Sequence, residues 1–426
     1  MTLKQTFKQG SIDRYDYDVA IVGGGVVGAT LACALRGSGL KVVLVEAEAR
    51  SQATARGQAY NISPLSSRIL DGIGVWNEIR PKLETYSKIR LSDADYPNIV
   101  QFLPEDLGAG TLETGTLGYV AEHRVLLTAL QRSLQQSSVT WLCPAKVLKT
   151  DFQAQGVGLE VWADGAVQEI RVRLVVGADG ARSPLRQQAG IRTHGWQYWQ
   201  ACVVATIKPE KPHHNIAYER FWSSGPFAIL PLPNNLCRIV WTAPRAEAEA
   251  IAQLDDHAFL QQLSQRFGDQ MGKLAVEGER YVFPVQLMHS TRYVLPGLAL
   301  IGDAAHCCHP VGGQGINMGI RDAAALAQVV QAAHQQGEDL ASLRVLRRYE
   351  RWRKWENLVI LGFTDILDRT FSNHILPLVL LRRLGLLVLQ SVSPVKAIAL
   401  RLMTGLTGKT PELAQKLPET LLSKNA

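Results

Sequence analysis

Three clusters of glycines and carboxylates have the residue types and spacing to handle phosphates and sugar hydroxyls. The first is Gly23-Gly24-Gly25-Val26-Val27-Gly28, directly after the apolar run Val19 to Val22. Glycine at 23 permits a tight turn, glycine at 25 lets the main chain approach a pyrophosphate, and glycine at 28 lets a following helix pack close to the strand. That helix would turn its unpaired N–H groups and positive dipole end toward the phosphates. Glu46 closes the next apolar run, about 20 residues on, where a carboxylate can reach a ribose hydroxyl. A tight turn with an exposed Glu is the competing reading. The second cluster is LVVGADGARSPLR at 174–186, with Asp179, Ser183 and Arg186 after an apolar run. The third is LALIGDAAHCCHPVGGQGIN at 298–317, with Gly302 and Asp303 followed by a loop through Gly312, Gly313 and Gly315. Asp303, at a strand end before a glycine turn, is placed to accept from a sugar hydroxyl; the competing reading is a helix N-cap.

These residues need elements to hold them. The pattern predicts a strand over 18–22, a helix to about residue 38 and a strand over 41–46, the opening of a dinucleotide-binding β-α-β unit. A helix over 122–136 returns the chain to that unit. From 198 to 243, short β-rich runs alternate with Pro and Asn turns. The fold class expected is α/β: a Rossmann-like nucleotide-binding domain, discontinuous over 1–80, 120–195 and 291–340. Into it a mostly antiparallel β substrate domain is inserted, 81–119 and 196–290, and a helical region, 341–426, follows. The 426-residue length agrees with two to three domains of about 150 residues.

Composition narrows the function classes. Net charge is +7, which suits an anionic partner. No nucleic-acid reader motif accompanies it, so nucleic acid is not expected. The six cysteines form no C-x-x-C pair, and zinc or dithiol chemistry is not expected. His306 and His309 flank Cys307-Cys308 without a metal-ligand spacing, so no metal is assigned. The polar N-terminus lacks the apolar core of a signal peptide, which leads to a cytoplasmic expectation.

In order and separation, the three clusters resemble the GxGxxG, DG and GD fingerprints of single-component flavoprotein aromatic hydroxylases, the p-hydroxybenzoate hydroxylase superfamily. Within it, HPVGGQGINMGIRDAAALA at 309–327, RGQAYNISPLSSRILDGIGVW at 56–76 and TDILDRTFSN at 364–373 are similar to the 2-polyprenylphenol hydroxylases of ubiquinone biosynthesis. The resemblance covers nearly the whole chain. It implies a non-covalent FAD in a GR2-type domain, NADH or NADPH as a transient donor, and dioxygen added at the flavin C4a before transfer to an electron-rich ring. The implied substrate is a hydrophobic polyprenylated phenol or quinol, and the implied setting a quinone-biosynthesis complex. A hydroxylase of a soluble aromatic compound and a non-catalytic flavin-binding scaffold stay open as alternatives.

By the same resemblance, Gly23, Gly25, Gly28, Glu46 and Asp179 belong to the cofactor site, and Gly302 and Asp303 meet the ribityl and pyrophosphate region. Gly312, Gly313, Gly315, Ile316 and Asn317 bring a helix N-terminus to the flavin ring. A helix dipole there stabilises the negative charge of reduced flavin by about 1 kcal/mol. Arg124 is expected against the FAD phosphates; a helix-surface cation is the other reading, in an unfavourable place for the dipole. Arg56 resembles the family's flavin-loop arginine. No catalytic base is assigned. Tyr218, Trp222, Phe227 and Pro284 suit either a substrate wall or a sheet core.

The tail, 374–403, alternates apolar runs with Arg382, Arg383, Lys396 and Arg401. Its longest charge-free run, 384–395, falls short of the ~18 residues that span a bilayer. It reads either as a packing layer or as an interfacial helix, its basic residues meeting anionic lipid in a peripheral contact.

Overall fold

In the computed structural model, which describes residues 15–55, 57–94, 96, 99–108, 112 and 115–415, two large sheets meet edge to face. The strand Tyr17–Val22 lies centrally in the first, hydrogen-bonded in parallel to Val42–Val45 on one side and to Ala166–Gly177 on the other. Leu298–Leu300 continues the parallel set beyond Ala166–Gly177. Such strands are covered on both faces, which is why VVLV is wholly buried and reads as an unbroken apolar run. Register decides the rest. Val22 pairs with Val45 and with Gly177, and Gly177 pairs with Leu300. The three glycine clusters, far apart in sequence, therefore leave the sheet side by side at its carboxyl edge, where ligands of open α/β sheets bind.

The helix after the first strand, Val26–Ala34, is shorter than the pattern predicts. Positive φ at Gly37 (69°) and Gly39 (82°) turns the chain early into the next strand.

The second sheet runs in the order His306–Cys307, Leu274–Ser290, Thr193–Pro209, Leu236–Pro244, Gly225–Leu232, Ile216–Trp222, Lys88–Asp93, Ile99–Phe102. It is antiparallel except where Ile216–Trp222 runs parallel to Lys88–Asp93. The helix Asp256–Phe267 covers one face, packing Phe259, Leu263 and Phe267 on Phe227, Ile239 and Trp241. Of the four wall candidates, Phe227 and Trp222 belong to this far core. Tyr218 also packs on that side, edge-on to Phe267, and Pro284 lines the cavity between the two sheets.

The tail forms the helices Leu343–Phe371, Leu376–Ser391 and Ser393–Met403. Among the described residues no single helix is long and apolar enough to cross a membrane. The structure corrects the expectation for the basic residues. Arg382 is 5% exposed and makes a two-point ion pair to Asp93, Nε–Oδ2 2.8 Å and Nη2–Oδ1 3.1 Å. Arg383 stacks over Tyr96, Lys396 pairs with Asp106 at 2.8 Å, and Arg401 donates to the Leu107 carbonyl. Arg382 and Lys396 clamp the tail to residues 93–107 and turn inward, whereas Arg383 stays part-exposed and Arg401 exposed. Burying a charge is tolerable only with such a partner, so Asp93 and Asp106 account for the inward turn of Arg382 and Lys396. The tail also leaves large apolar side chains exposed: Ile375, Leu376, Leu380, Leu381, Leu384 and Ile398.

Candidate active site

Between the carboxyl edge of the first sheet and the open face of the second lies a cavity of about 650 Å³. Its near end is built by Gly25, Ala178, Gly180, Asp303 and the loop 310–316, its far end by strands of the second sheet. Met403 and Thr404, at the end of the last tail helix, close one side.

The glycines of the first turn divide their work as their chemistry suggests. Gly23 has φ 106°, and a methyl group there would sit 2.3 Å from the Ala178 carbonyl oxygen. At Gly28 it would meet the Gly23 carbonyl oxygen at 1.9 Å. Both positions are packed shut. At Gly25 a methyl would meet nothing within 4 Å; it would occupy the space where a pyrophosphate approaches the helix N-terminus. Gly312 has φ 71° and equally open surroundings, while Gly302 (φ 57°) packs near Val27 and Gly313 (φ 62°) against Asn61. Gly315 begins the helix Gly315–Gln335, whose first turn has no side-chain cap, and Ile316 lines the cavity.

Asp303 caps no helix. Its carboxylate has no hydrogen-bond or ion-pair partner among the described residues and opens into the cavity. The surrounding protein pushes its carboxyl above the ordinary range, with His306 opposing. An open glycine cradle, an uncapped helix N-terminus and an unpartnered carboxylate in one cavity fit a dinucleotide such as FAD. Asp303→Ala is expected to weaken FAD binding by about 1–3 kcal/mol, because a sugar hydroxyl loses its acceptor. The melting temperature of the flavin-free protein should not fall, since the carboxylate makes no bond there. Flavin fluorescence titration measures the affinity, and an unchanged value would refute the role.

Other expected ligands have protein partners. The side chain of Arg124 is 71% exposed, is paired with Glu122 at 2.9 Å and does not line the cavity; the ion pair offsets its unfavourable place in the dipole. The Asn317 amide is fully buried: Oδ1 accepts from Ser63 N–H, and Nδ2 donates to the carbonyls of Asn61 and Gly313. It clamps the glycine loop from behind. Glu46 stands at the tip of its strand beside the first turn, its carboxylate accepting from the N–H groups of Gly24 (2.6 Å) and Glu48 (2.7 Å). Asp179 accepts from Leu185 N–H at the start of a short helix, with Oδ1 buried and unpartnered. Arg186 is no surface residue: it is 6% exposed and donates to the carbonyls of Ala304 and Ala181, fastening the second cluster to the third. Arg56 lies outside the described residues.

His306 and His309 serve packing networks, His306 with Asp322 at 2.6 Å and His309 with Gln200 at 3.3 Å. Burial pushes the His309 imidazole down, with Asp368 opposing. Among the described residues no group of three or more His, Cys, Asp or Glu is placed to hold a metal ion. Two features of the cavity escaped sequence reasoning. One is the cluster Gln58, Tyr60 and His123, with the Tyr60 hydroxyl 2.8 Å from Gln58 Oε1 and 2.9 Å from His123 Nδ1. The other is Glu219, in the far wall. The only signal for it was a carboxylate inside the apolar strand IAYERFW.

Comparison with known proteins agrees with this geometry. A family model described as an FAD binding domain matches residues 16–355. The ubiquinone hydroxylase UbiL of Rhodospirillum rubrum is 38% identical over 407 residues, 95% of this chain and 92% of that protein. The 3-demethoxyubiquinol 3-hydroxylase of Escherichia coli is 34% identical over 397 residues, 91% of this chain and 98% of that protein. Among solved structures, p-nitrophenol 4-monooxygenase PnpA of Pseudomonas putida shares the fold, with a TM-score of 0.78 over 92% of this chain and 98% of that one, at 20% identity. With the dinucleotide cradle and these relatives together, the chain belongs to the FAD-binding family that includes the ubiquinone-biosynthesis hydroxylases, and is an FAD-dependent aromatic-ring monooxygenase.

Proposed function

We propose that this monooxygenase hydroxylates the ring of a prenylated phenol or quinol in ubiquinone biosynthesis, with NADH or NADPH as electron donor and dioxygen as oxygen source. The observation that carries the reading is the single cavity joining the dinucleotide cradle to an apolar sheet wall. FAD, when bound, supplies the redox chemistry and oxygen activation; the protein supplies binding, orientation and exclusion of water. Gly25 and Asp303 hold the dinucleotide, and the N-terminus of Gly315–Gln335 favours negative charge at the flavin. Val204, Ala228, Leu230, Val240 and Phe283 offer an aromatic ring an apolar surface. The test is NADH or NADPH oxidation by the FAD-loaded protein with a short-chain prenylated phenol. Oxidation should accelerate, and mass spectrometry should find product heavier by one oxygen atom. Acceleration only by unprenylated phenols would favour a soluble substrate; none with any phenol would favour a scaffold.

We also propose that the protein contacts a membrane peripherally, through the exposed apolar side chains of Leu376–Ser391 and Ser393–Met403. A lipid-dissolved substrate is the reason to expect contact, and Met403 places the end of this layer in the cavity wall. Since Arg382 and Lys396 are used internally, the main driving force is apolar burial and not attraction to anionic headgroups.

A further inference from the structure

We propose that Glu219 is the residue that binds the substrate's ring hydroxyl and accepts its proton. The inference rests on the aromatic-substrate reading and adds the base that the sequence did not identify. Glu219 lies on Ile216–Trp222, where it pairs across the sheet with Ala228. Ala228 pairs with Val240, and Val240 with Val204. All four line the cavity, so one rung of the sheet presents three apolar side chains and a single carboxylate to the bound ring.

That carboxylate makes no hydrogen bond or ion pair with any described residue. A buried polar group is normally satisfied, and one left open toward a cavity points to a ligand that satisfies it. The charged and titratable groups around it are committed elsewhere. On its own strand, Tyr218 lies against Phe267 and under Arg90, while Arg220 donates to the Arg266 and Ala94 carbonyls. On Lys88–Asp93, Asp93 is paired with Arg382. On Thr193–Pro209, the Cys202 thiol is 3.2 Å from the Thr242 hydroxyl of Leu236–Pro244, and its own proton is held firmly by burial. On the long tail helix, Asp368 accepts from Gln200 and Ser372. No cation offsets Glu219, and burial alone pushes its carboxyl up to about 8.

A carboxyl in that range exchanges protons near neutral pH, as a general base must. In its ionised form it accepts the hydrogen bond of the ring O–H. When the proton moves, the O–H bond breaks, the proton goes to a Glu219 oxygen and the electron pair stays on the ring oxygen. The ring carbons ortho and para to that oxygen become richer in electrons, as electrophilic hydroxylation requires. After the ring has been oxidised, the proton returns to the product oxygen, and the carboxylate is restored.

The test uses the FAD-loaded protein and two probes, a short-chain prenylated phenol and its methyl ether. Dissociation constants are measured between about pH 6 and pH 9, where a phenol of pKa near 10 stays neutral. As Glu219 ionises, the phenol should bind about tenfold tighter, through a charge-assisted hydrogen bond. The ether has no proton to donate and should bind more weakly over the same range. In Glu219→Gln, with FAD content unchanged, both trends should flatten, and in Glu219→Asp the phenol trend should persist with smaller amplitude. Should Glu219→Gln fail to fold, the opposite trends of the two probes on the wild type still decide. Phenol and ether binding with the same pH dependence, or an unaltered phenol trend in Glu219→Gln, overturns the role of Glu219 and leaves the aromatic-substrate reading standing. Binding of neither probe by the wild type overturns that reading and this inference with it.

Discussion

Asp322→Ala is expected to cost about 3–5 kcal/mol of stability and to empty the flavin site, because it removes one partner from a buried charge network. Asp322 is fully buried on the helix Gly315–Gln335. Its Oδ1 accepts from Arg353 Nε (2.8 Å) and Asn357 Nδ2 (3.1 Å) on the long tail helix. Its Oδ2 accepts from Gly302 N–H (3.1 Å) and is 2.6 Å from His306 Nε2. One carboxylate thus holds the turn that carries Asp303, and alanine would strand the Arg353 guanidinium, 1% exposed, with only Glu356 for charge. Burial works to raise the Asp322 carboxyl, but His306 and Arg353 outweigh it and hold it well below the usual range. The sign follows from a folded value below the unfolded one. The stabilisation is fully present above the unfolded value of about 4 and is lost as pH falls below it toward the folded one. Denaturant unfolding and flavin release are therefore compared at about pH 7 and about pH 3.5, for wild type, Asp322→Ala and Asp322→Asn. Wild type should lose stability on acidification, with this contribution missing from the asparagine variant. An alanine variant that melts and binds flavin like wild type would refute the role.

The second large effect concerns the membrane. The full chain is expected to float with neutral phosphatidylcholine vesicles, and Leu380→Gln, Leu381→Gln and Leu384→Gln together should reduce that partitioning about 30-fold or more. Leu380 and Leu381 are 59% exposed and Leu384 is 58% exposed, all on one helix. Fully burying a leucine is worth about 1.5–3 kcal/mol, and roughly half of that remains available at each position. The sum for three residues, about 2–4 kcal/mol, sets the expected factor. Raising the salt should change little, because Arg382 and Lys396 are neutralised inside the protein and screening acts on exposed charge. Failure to float, or release by salt from anionic vesicles alone, would refute the apolar mode of contact.

The tail and the glycine clusters differ in what a local pattern of residues can specify. GxGxxG needs a particular backbone at particular positions, and no other residue meets that need. Gly23 is dictated by its φ of 106° and Gly28 by the Gly23 carbonyl oxygen, so a local pattern suffices to find them, although Ala178 of the second cluster also closes on Gly23. An alternation of Leu and Arg has no such local meaning. Its charges face lipid or turn inward according to whether acids stand opposite, and Asp93 lies 289 residues before Arg382.

The sequence by itself determined the parallel strands, through runs such as VVLV, the three turns that leave them, and the family, because each rests on residue types whose backbone or burial demands are met locally. Tertiary structure decided which expected ligands reach the cavity. Asp303 remains unpartnered there, whereas the Asn317 amide is consumed by Ser63, Asn61 and Gly313, and Arg124 pairs with Glu122 on the helix surface. It also decided that Glu219, one carboxylate in an apolar strand, would face the cavity. The parallel pairing with Lys88–Asp93 and the antiparallel pairing with Gly225–Leu232 set that orientation. The physical reason is the same in each case. A polar side chain takes its role from the partner opposite it, and that partner is supplied by strands and helices that meet only when the chain has folded.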